Sequence, residues 1–324
     1  MDEGQGNKSI LVVGDSMADH YVYGKMERVS KEAPIPIVEY QYEEYHLGGA
    51  ANIAANVASL KNEVMLCSIV GTDDQGMKLQ GIMQEKGINL DLLVKDEKRP
   101  TSTKTRIVAG NQVQVFRMDR ECLDSMNSEV EQEILLQIEA RLKKVDLVIL
   151  ADYGKGFLSS KMASYLVRLC KRKDKKVLCS LRASNPQPYY GAYLIKPDMN
   201  DLGKWAGMQI VSLKDAEIAM QKMKSLLKVE NVLVDRSEFG LLLLDANYRM
   251  HRYENMCDNL VDITGAGATI MAVLGAFLVG GSDLEKSCKM ACLGAAIKKG
   301  KLGTTAIGLE ELEELEDYLK HKKE

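Results

Sequence analysis

Asp262-Ile263-Thr264-Gly265-Ala266-Gly267-Ala268 runs straight into the apolar stretch Thr269 to Val279, and its reading decides the fold. Small residues opening a buried helix leave the first-turn amides and the positive end of the helix dipole open to an anion. Glycine before a buried helix is also an ordinary structural device, so this stretch alone predicts either. A second stretch of the same kind is Gly48-Gly49-Ala50-Ala51-Asn52-Ile53-Ala54, again after an extended segment. Backbone can approach a ligand closely there, and Asn52 offers both donors and acceptors.

Working outward, short apolar runs alternate with longer helical patterns. Ile10-Leu11-Val12-Val13 is followed at once by Gly14-Asp15, and later runs span Asp146 to Ala151, Lys176 to Ser180, Tyr193 to Lys196, Asn231 to Asp235 and Gly240 to Asp245. Continuous apolar runs of this length predict strands buried on both faces. Amphipathic patterns at Ser128 to Lys144 and Leu213 to Lys228 predict helices between them. The fold class is therefore α/β: a doubly wound, mostly parallel sheet flanked by helices, with ligands beyond the carboxyl ends of the strands. Two segments depart from the pattern. Ile35 to Tyr42 alternates with period two, and Thr103 to Met118 reads as two strands joined at Gly110-Asn111;. They predict a small β-sheet lid, from segments of about 34–46 and 103–118, which excludes water and pairs two copies of the chain. With no long linker and no repeat, residues 1–324 are expected to form a single domain;.

Composition narrows the function. With 46 % hydrophobic and 27 % charged residues the chain reads as an ordinary globular protein, and a net charge of −3 gives no reason to expect nucleic acid or an anionic membrane surface as partner;. The basic run Arg168 to Lys176 reads as a solvated helix end;. No window approaches the ~20 apolar residues of a membrane span, and the first residues lack the pattern of a signal peptide. A cytoplasmic protein is expected. Seven scattered cysteines, never spaced as CxxC, read as reduced thiols;.

Together and in this order, the two glycine stretches resemble the signatures of the PfkB carbohydrate kinases, of ribokinase-like fold. Within that superfamily the chain is similar to the bacterial heptose-7-phosphate kinases, from Ile10 to about Leu312. The likeness includes Gly14 to Gly24 (GDSMADHYVYG), Glu32-Ala33-Pro34-Ile35-Pro36, Asn111-Gln112, Asp152-Tyr153-Gly154-Lys155-Gly156 and Lys301-Leu302-Gly303-Thr304. The resemblance implies ATP-dependent, Mg²⁺-requiring phosphorylation of the anomeric hydroxyl of a heptose 7-phosphate or similar sugar phosphate. By the same likeness Asp15, Asp19, Gly48, Gly49, Asn52, Asn111 and Gln112 hold the sugar. Lys155 either neutralises phosphate charge or is merely an exposed lysine. Gly265, Ala266 and Gly267 supply the anion hole, through the amides of Ala266 and Gly267. Asp198, Asn200 and Asp201 occupy the NxxE segment, with Asp201 reaching Mg²⁺ through water. Asp235, Ser237, Glu238 and Gly240 border ATP, and Asp262 opens the second motif.

The chain departs from the family where these kinases place their catalytic base. An aspartate should follow the GAG glycines; Ala268 stands there and has no titratable group;. An engineered Asp→Ala would give the same alanine but an otherwise intact site. Instead the NxxE segment reads Asp198-Met199-Asn200-Asp201, a DPKG segment reads Ser180-Leu181-Arg182-Ala183, and the nucleotide loop reads Asp235-Arg236-Ser237-Glu238-Phe239-Gly240. Changes clustered on the nucleotide side favour natural divergence. Two functions are open: a kinase slowed by loss of its base, or a pseudokinase that binds a sugar phosphate as sensor or regulatory subunit. A fused nucleotidyl-transfer activity is not expected, since the four histidines form no HxGH.

Overall fold

The computed structural model describes residues 8–110, 113–256 and 260–321. The first half contains β1 (Ser9–Gly14), β2 (Ser16–Val29), β3 (Pro36–Gly48), α1 (Gly49–Ser59), β4 (Glu63–Gly71), α2 (Asp74–Glu85), β5 (Asn89–Asp96), β6 (Thr103–Ala109), β7 (Val113–Arg120) and α3 (Ser128–Arg141). Next come β8 (Leu147–Asp152), α4 (Ser160–Arg172), β9 (Lys176–Leu181), β10 (Leu194–Pro197), α5 (Met199–Ala206) and α6 (Leu213–Leu227). The chain continues through β11 (Asn231–Asp235), β12 (Leu241–Leu244), β13 (Met250–Tyr253), α7 (Ala266–Val279), α8 (Leu284–Lys299) and α9 (Leu309–His321).

Nine strands make the main sheet, in the order β13-β12-β11-β10-β9-β8-β1-β4-β5. Pairing is parallel from β11 to β5 and antiparallel across β11, β12 and β13. The period-two side-chain rule divides β1 between two cores. Ile10 and Val12 face a core built with α1, α7 and α8, whereas Leu11 and Val13 face one built with α3, α4 and α6;. All four are fully buried, as the continuous apolar run predicts;.

A second sheet of four strands, ordered β3-β2-β6-β7, stands beside the carboxyl ends of the first. The segments around 34–46 and 103–118 supply β3, β6 and β7, as expected. The sequence reading missed β2, which pairs with β3 antiparallel and with β6 parallel. Its first half is mostly buried on both faces, so polar alternation cannot mark it;.

Helix starts separate into two kinds. Helices α2, α3, α4, α5, α6 and α8 begin at side-chain caps, from Asp73, Asn127, Ser159, Asp198, Ser212 and Asp283 respectively;. Helices α1 and α7 begin on Gly48 and Gly265 without a side-chain cap. These two are the glycine stretches singled out by sequence.

Candidate functional site

The uncapped ends of α1 and α7 meet, although their sequences lie more than two hundred residues apart. Gly49 has φ +58°, and a Cβ there would stand 2.2 Å from the Asp15 carbonyl oxygen. Gly265 has φ +87°, and its Cβ would stand 2.9 Å from Asn52 Nδ2 and 3.0 Å from Thr304 Cγ2. Both positions require glycine for conformation and for space. The anion hole is narrower than expected. The Ala266 amide donates to the Ile263 carbonyl at 3.2 Å, closing the turn before the helix, and the Ala268 amide donates to Gly265. Of the two amides expected to hold a phosphoryl group, only that of Gly267 has no acceptor among the described residues;.

A cleft of about 390 Å³ opens between these helix ends and the small sheet, lined in part by Asp19, Gly49, Asn52, Gly265, Gly267 and Ala268. Asp19 Oδ1 accepts a hydrogen bond from Arg106 at 2.5 Å, and both side chains are buried. The Arg106 guanidinium lies 5.1 Å over the Tyr21 ring;. Gly48 leaves room for Asp19, since a Cβ there would fall 2.7 Å from Oδ2. Asn52 Oδ1 accepts from Asn56 at 2.9 Å, which leaves its amide nitrogen at Gly265.

The rim carries a charge network. Lys155 donates to Glu121 at 2.6 Å, and Lys104 donates to Glu121 at 2.7 Å and to Asp119 at 3.0 Å. Arg117 grips Asp119 with two bonds of 2.7 and 2.6 Å;. Burial alone would raise Glu121, but Lys104 and Lys155 hold it below the usual carboxylate range;. Asp119 is held lower still, chiefly by Arg117. Lys155 therefore lines the cleft with its ammonium held at Glu121. Asp15 serves it indirectly. Its carboxylate accepts the amides of Tyr153, Lys155 and Phe157 at 2.9, 3.1 and 3.1 Å and does not line the cleft; burial raises its pKa despite them. Asn111 and Gln112 lie outside the described residues.

Of the residues expected on the nucleotide side, Asp198, Asn200 and Asp201 follow β10, Asp235, Ser237, Glu238 and Gly240 lie between the end of β11 and β12, and Asp262 precedes α7; none lines this cleft. Asp198 caps α5 by accepting the Asn200 amide at 2.7 Å, and Asp201 pairs with Lys204 at 3.0 Å. Asp235 accepts the Ser237 amide at 2.9 Å, while Glu238 is exposed. Gly240, at φ +83°, makes a turn in which any Cβ would strike the Tyr253 carbonyl. Asp262 accepts the amides of Thr264 and Gly303 at 2.8 and 2.9 Å, which keep its pKa low although burial opposes them. Asp235 and Ser237 border a separate groove with Met199, Val211 and Phe239.

The sequence matches the pfkB family carbohydrate kinases over residues 7–312. The chain belongs to that family. It is 35 % identical over 295 residues to the bifunctional protein HldE of Helicobacter hepaticus, covering 91 % of this chain and 61 % of that one. To HldE of Nitratiruptor sp. it is 38 % identical over 307 residues, covering 95 % and 64 %. The chain thus spans a little under two thirds of the length of these relatives. Among solved structures, Arabidopsis thaliana ribokinase complexed with ribose and ATP superposes with a TM-score of 0.77 at 18 % identity, covering 96 % of this chain and 99 % of that one. Escherichia coli phosphofructokinase-2 in complex with potassium superposes at 0.80 and 14 %, covering 97 % and 100 %. These likenesses establish a ribokinase-like fold.

Kinases of this family use ATP and a divalent metal, and the residues that would hold Mg²⁺, through water, are Asp198 and Asp201, each of which keeps carboxylate lone pairs beyond its bond here;. Arg182 and Lys196 are cations that line the cleft. Sequence reasoning did not single out Lys104, Arg106, Arg117, Asp119, Glu121 or Lys196 as site residues. The first five were legible: Lys104 and Arg106 on β6, and Arg117 and Asp119 on β7 with Glu121 just beyond it, repeat at period two, so each strand's pair falls on one face;. Lys196 was legible as a charge closing an apolar strand.

Proposed function

We propose that this family member binds a sugar phosphate in the cleft, a heptose 7-phosphate or a close analogue, and that its transfer of phosphoryl from ATP to the anomeric hydroxyl is severely slowed. The observation that carries this reading is Ala268, buried at the start of α7 where the family places its base. The two carboxylates lining the cleft cannot replace it without leaving a partner: Asp19 is bonded to Arg106, and Asp119 to Arg117 and Lys104. Loss of a general base costs about 10²–10⁴-fold in rate. Positioning and electrostatics still give phosphoryl transfer some residual rate. Binding is thus the function the geometry supports best, with a sensing or regulatory role downstream of it.

Single-turnover phosphoryl transfer from ATP to heptose 7-phosphate tests this, on the chain and on Ala268→Asp. We expect the unaltered chain to fall at least about 10²-fold below ordinary kinase rates of about 1–100 s⁻¹. Ala268→Asp should recover less than about tenfold, because a new carboxylate leaves the departures at Asp198–Asp201 and Asp235–Gly240 in place;. Ordinary rates from the unaltered chain would sink the reading.

The family resemblance also suggests a cytoplasmic homodimer joined through the small sheet. No helix among the described residues is long and apolar enough to cross a membrane. Edge strands β3 and β7 expose Tyr40, Tyr42, Val113, Phe116 and Met118, apolar area that a partner would cover;. Light scattering should give twice the chain mass, and one mass after Phe116→Glu.

A further inference from the structure

We propose that Cys122 is an oxidation site. A hydroperoxide converts its thiol to a sulfenic acid, the Arg99 guanidinium holds the resulting anion, and the segment that clamps the cleft is stiffened. The proposal goes beyond the sugar-phosphate reading and does not depend on which ligand the cleft binds.

The cysteines among the described residues fall into two groups. Cys67, Cys170, Cys179, Cys288 and Cys292 are buried, and burial pushes each of their thiols above its ordinary pKa;. Cys122, just after β7, is partly exposed. It lines a cavity of about 580 Å³ with Ile69, Lys95, Lys98, Arg99 and Met126, apart from the cleft, which gives a hydroperoxide room to reach Sγ.

Arg99 is the second observation. Its side chain is only 7 % exposed, and its ion pair, with Asp96, is long at 3.9 Å. Nη2 lies 3.6 Å from Cys122 Sγ and donates to the Asp124 carbonyl at 2.5 Å. Nε is buried without a hydrogen bond, and Nη1 has none among the described residues. A buried cation so poorly matched is stabilised by an anion brought close to it. Oxidised Cys122 is such an anion, made in place. The thiol donates to Asp124 Oδ2 at 3.8 Å, and Asp124 is exposed, so its carboxylate can turn into water when the sulfur becomes negative.

In the reaction the Cys122 sulfur attacks one peroxide oxygen. The S–O bond forms as the O–O bond breaks, sulfur is oxidised by two electrons, and the thiol proton leaves on the other oxygen as water or an alcohol. The sulfenic acid then gives its own proton to solvent. Chain on both sides of Cys122 reaches the cleft. Glu121 bonds Lys104 and Lys155, and a Cβ on Gly156 would stand 2.2 Å from the Asp124 carbonyl oxygen and 2.9 Å from that of Leu123. A sulfenate on Nη1 adds a tie to this segment while Nη2 keeps Asp124.

The full chain treated with hydrogen peroxide and trapped with dimedone should carry the label at Cys122 and not at the five buried cysteines. Peptide mapping by mass spectrometry separates Cys122 from Cys257, which lies outside the described residues. Cys122→Asp places a permanent carboxylate at the site, and Cys122→Asn is its uncharged match. The Asp variant should melt about 2 °C or more above the Asn variant. Oxidation should also slow hydrogen exchange at least about threefold in the peptide holding the Tyr153, Lys155 and Phe157 amides, with no change in Cys122→Ser. No label at Cys122, equal labelling of the buried cysteines, or an Asp variant that melts no higher than the Asn variant would overturn the site. Exchange that oxidation leaves unchanged would overturn its link to the cleft.

Discussion

Carboxylates at the cleft and those expected on the nucleotide side mostly have different kinds of partner; the exceptions are Asp15, which accepts three backbone amides, and Asp201, which pairs with Lys204. On the sugar side Asp19, Asp119 and Glu121 are bonded to side-chain cations that line or rim the cleft. A ligand phosphate can take over such cations, because the partners exchange one anion for another. Of the residues expected on the nucleotide side, Asp198 and Asp235 accept backbone amides of their own loops, and Asp262 accepts that of Thr264 and that of Gly303 in the loop after α8. Those bonds fix turns, and a ligand cannot replace them without undoing the loop. On the function proposed above, the first set would yield its cations to a ligand, while Asp198, Asp235 and Asp262 brace their loops. The proposed function therefore predicts that sugar binding and turnover respond differently to changes on the two sides.

The largest effect should come from breaking the sugar side. Asp19→Ala leaves Arg106 buried and unpaired, which typically costs about 3–5 kcal/mol. Chemical denaturation should show that loss, and heptose 7-phosphate binding should disappear with it. If Asp19→Ala unfolds normally yet fails to bind, Asp19 contacts the sugar and carries little structure; if it binds normally, the sugar side has been misassigned.

A pH series probes the other side. The pKa of Asp262 is held below its unfolded value, so it stabilises the fold at pH values above the unfolded carboxylate pKa of about 3.9;. That contribution disappears as pH falls through the lower, folded value. Asp262→Asn should cost roughly 1–2 kcal/mol near neutrality, with the difference from the parent shrinking toward acid. A constant difference would mean that the amide bonds, and not the charge, carry the effect. Either way, sugar-phosphate affinity should stay within about threefold if the residue only braces its loop.

Most of the fold was legible because buried parallel strands write continuous apolar runs: β1, β8, β9, β10, β11 and β12 stand where those runs predict. The reading named no run for β2, β4, β5 or β13; of these β2 begins buried on both faces among polar and aromatic residues such as Asp19 and Tyr21, and so lacks both the pure apolar run and the clean alternation. The site was legible where glycine was required, at Gly49 and Gly265, since only steric necessity leaves so plain a trace. Partners were harder to read. That Asp15, Asp198 and Asp262 turn toward backbone amides comes from loop geometry, which no spacing in the sequence states. Cations on β6 and β7 converge on the cleft only once the small sheet folds against α1.

The smallest effect tests whether the nucleotide loop still serves a nucleotide. Ser237 stands where the resemblance expects glycine, and the loop keeps a left-handed φ of +56° there. A residue with a Cβ pays roughly 1 kcal/mol for that conformation. Ser237→Gly should relieve it, less a few tenths for the added freedom of the unfolded chain, for a net gain of about 0.5 kcal/mol. Relieving the strain does not by itself free the loop. The Ser237 carbonyl is bonded by the buried ammonium of Lys299 from α8, and its amide is bonded to Asp235. Glycine removes the side chain but leaves both ties, so the loop should become more stable without gaining ATP affinity. A Ser237→Gly chain that bound ATP appreciably more tightly by calorimetry would show the opposite: one side chain, and not the consolidation of the whole loop, would be what separates the two halves of the site.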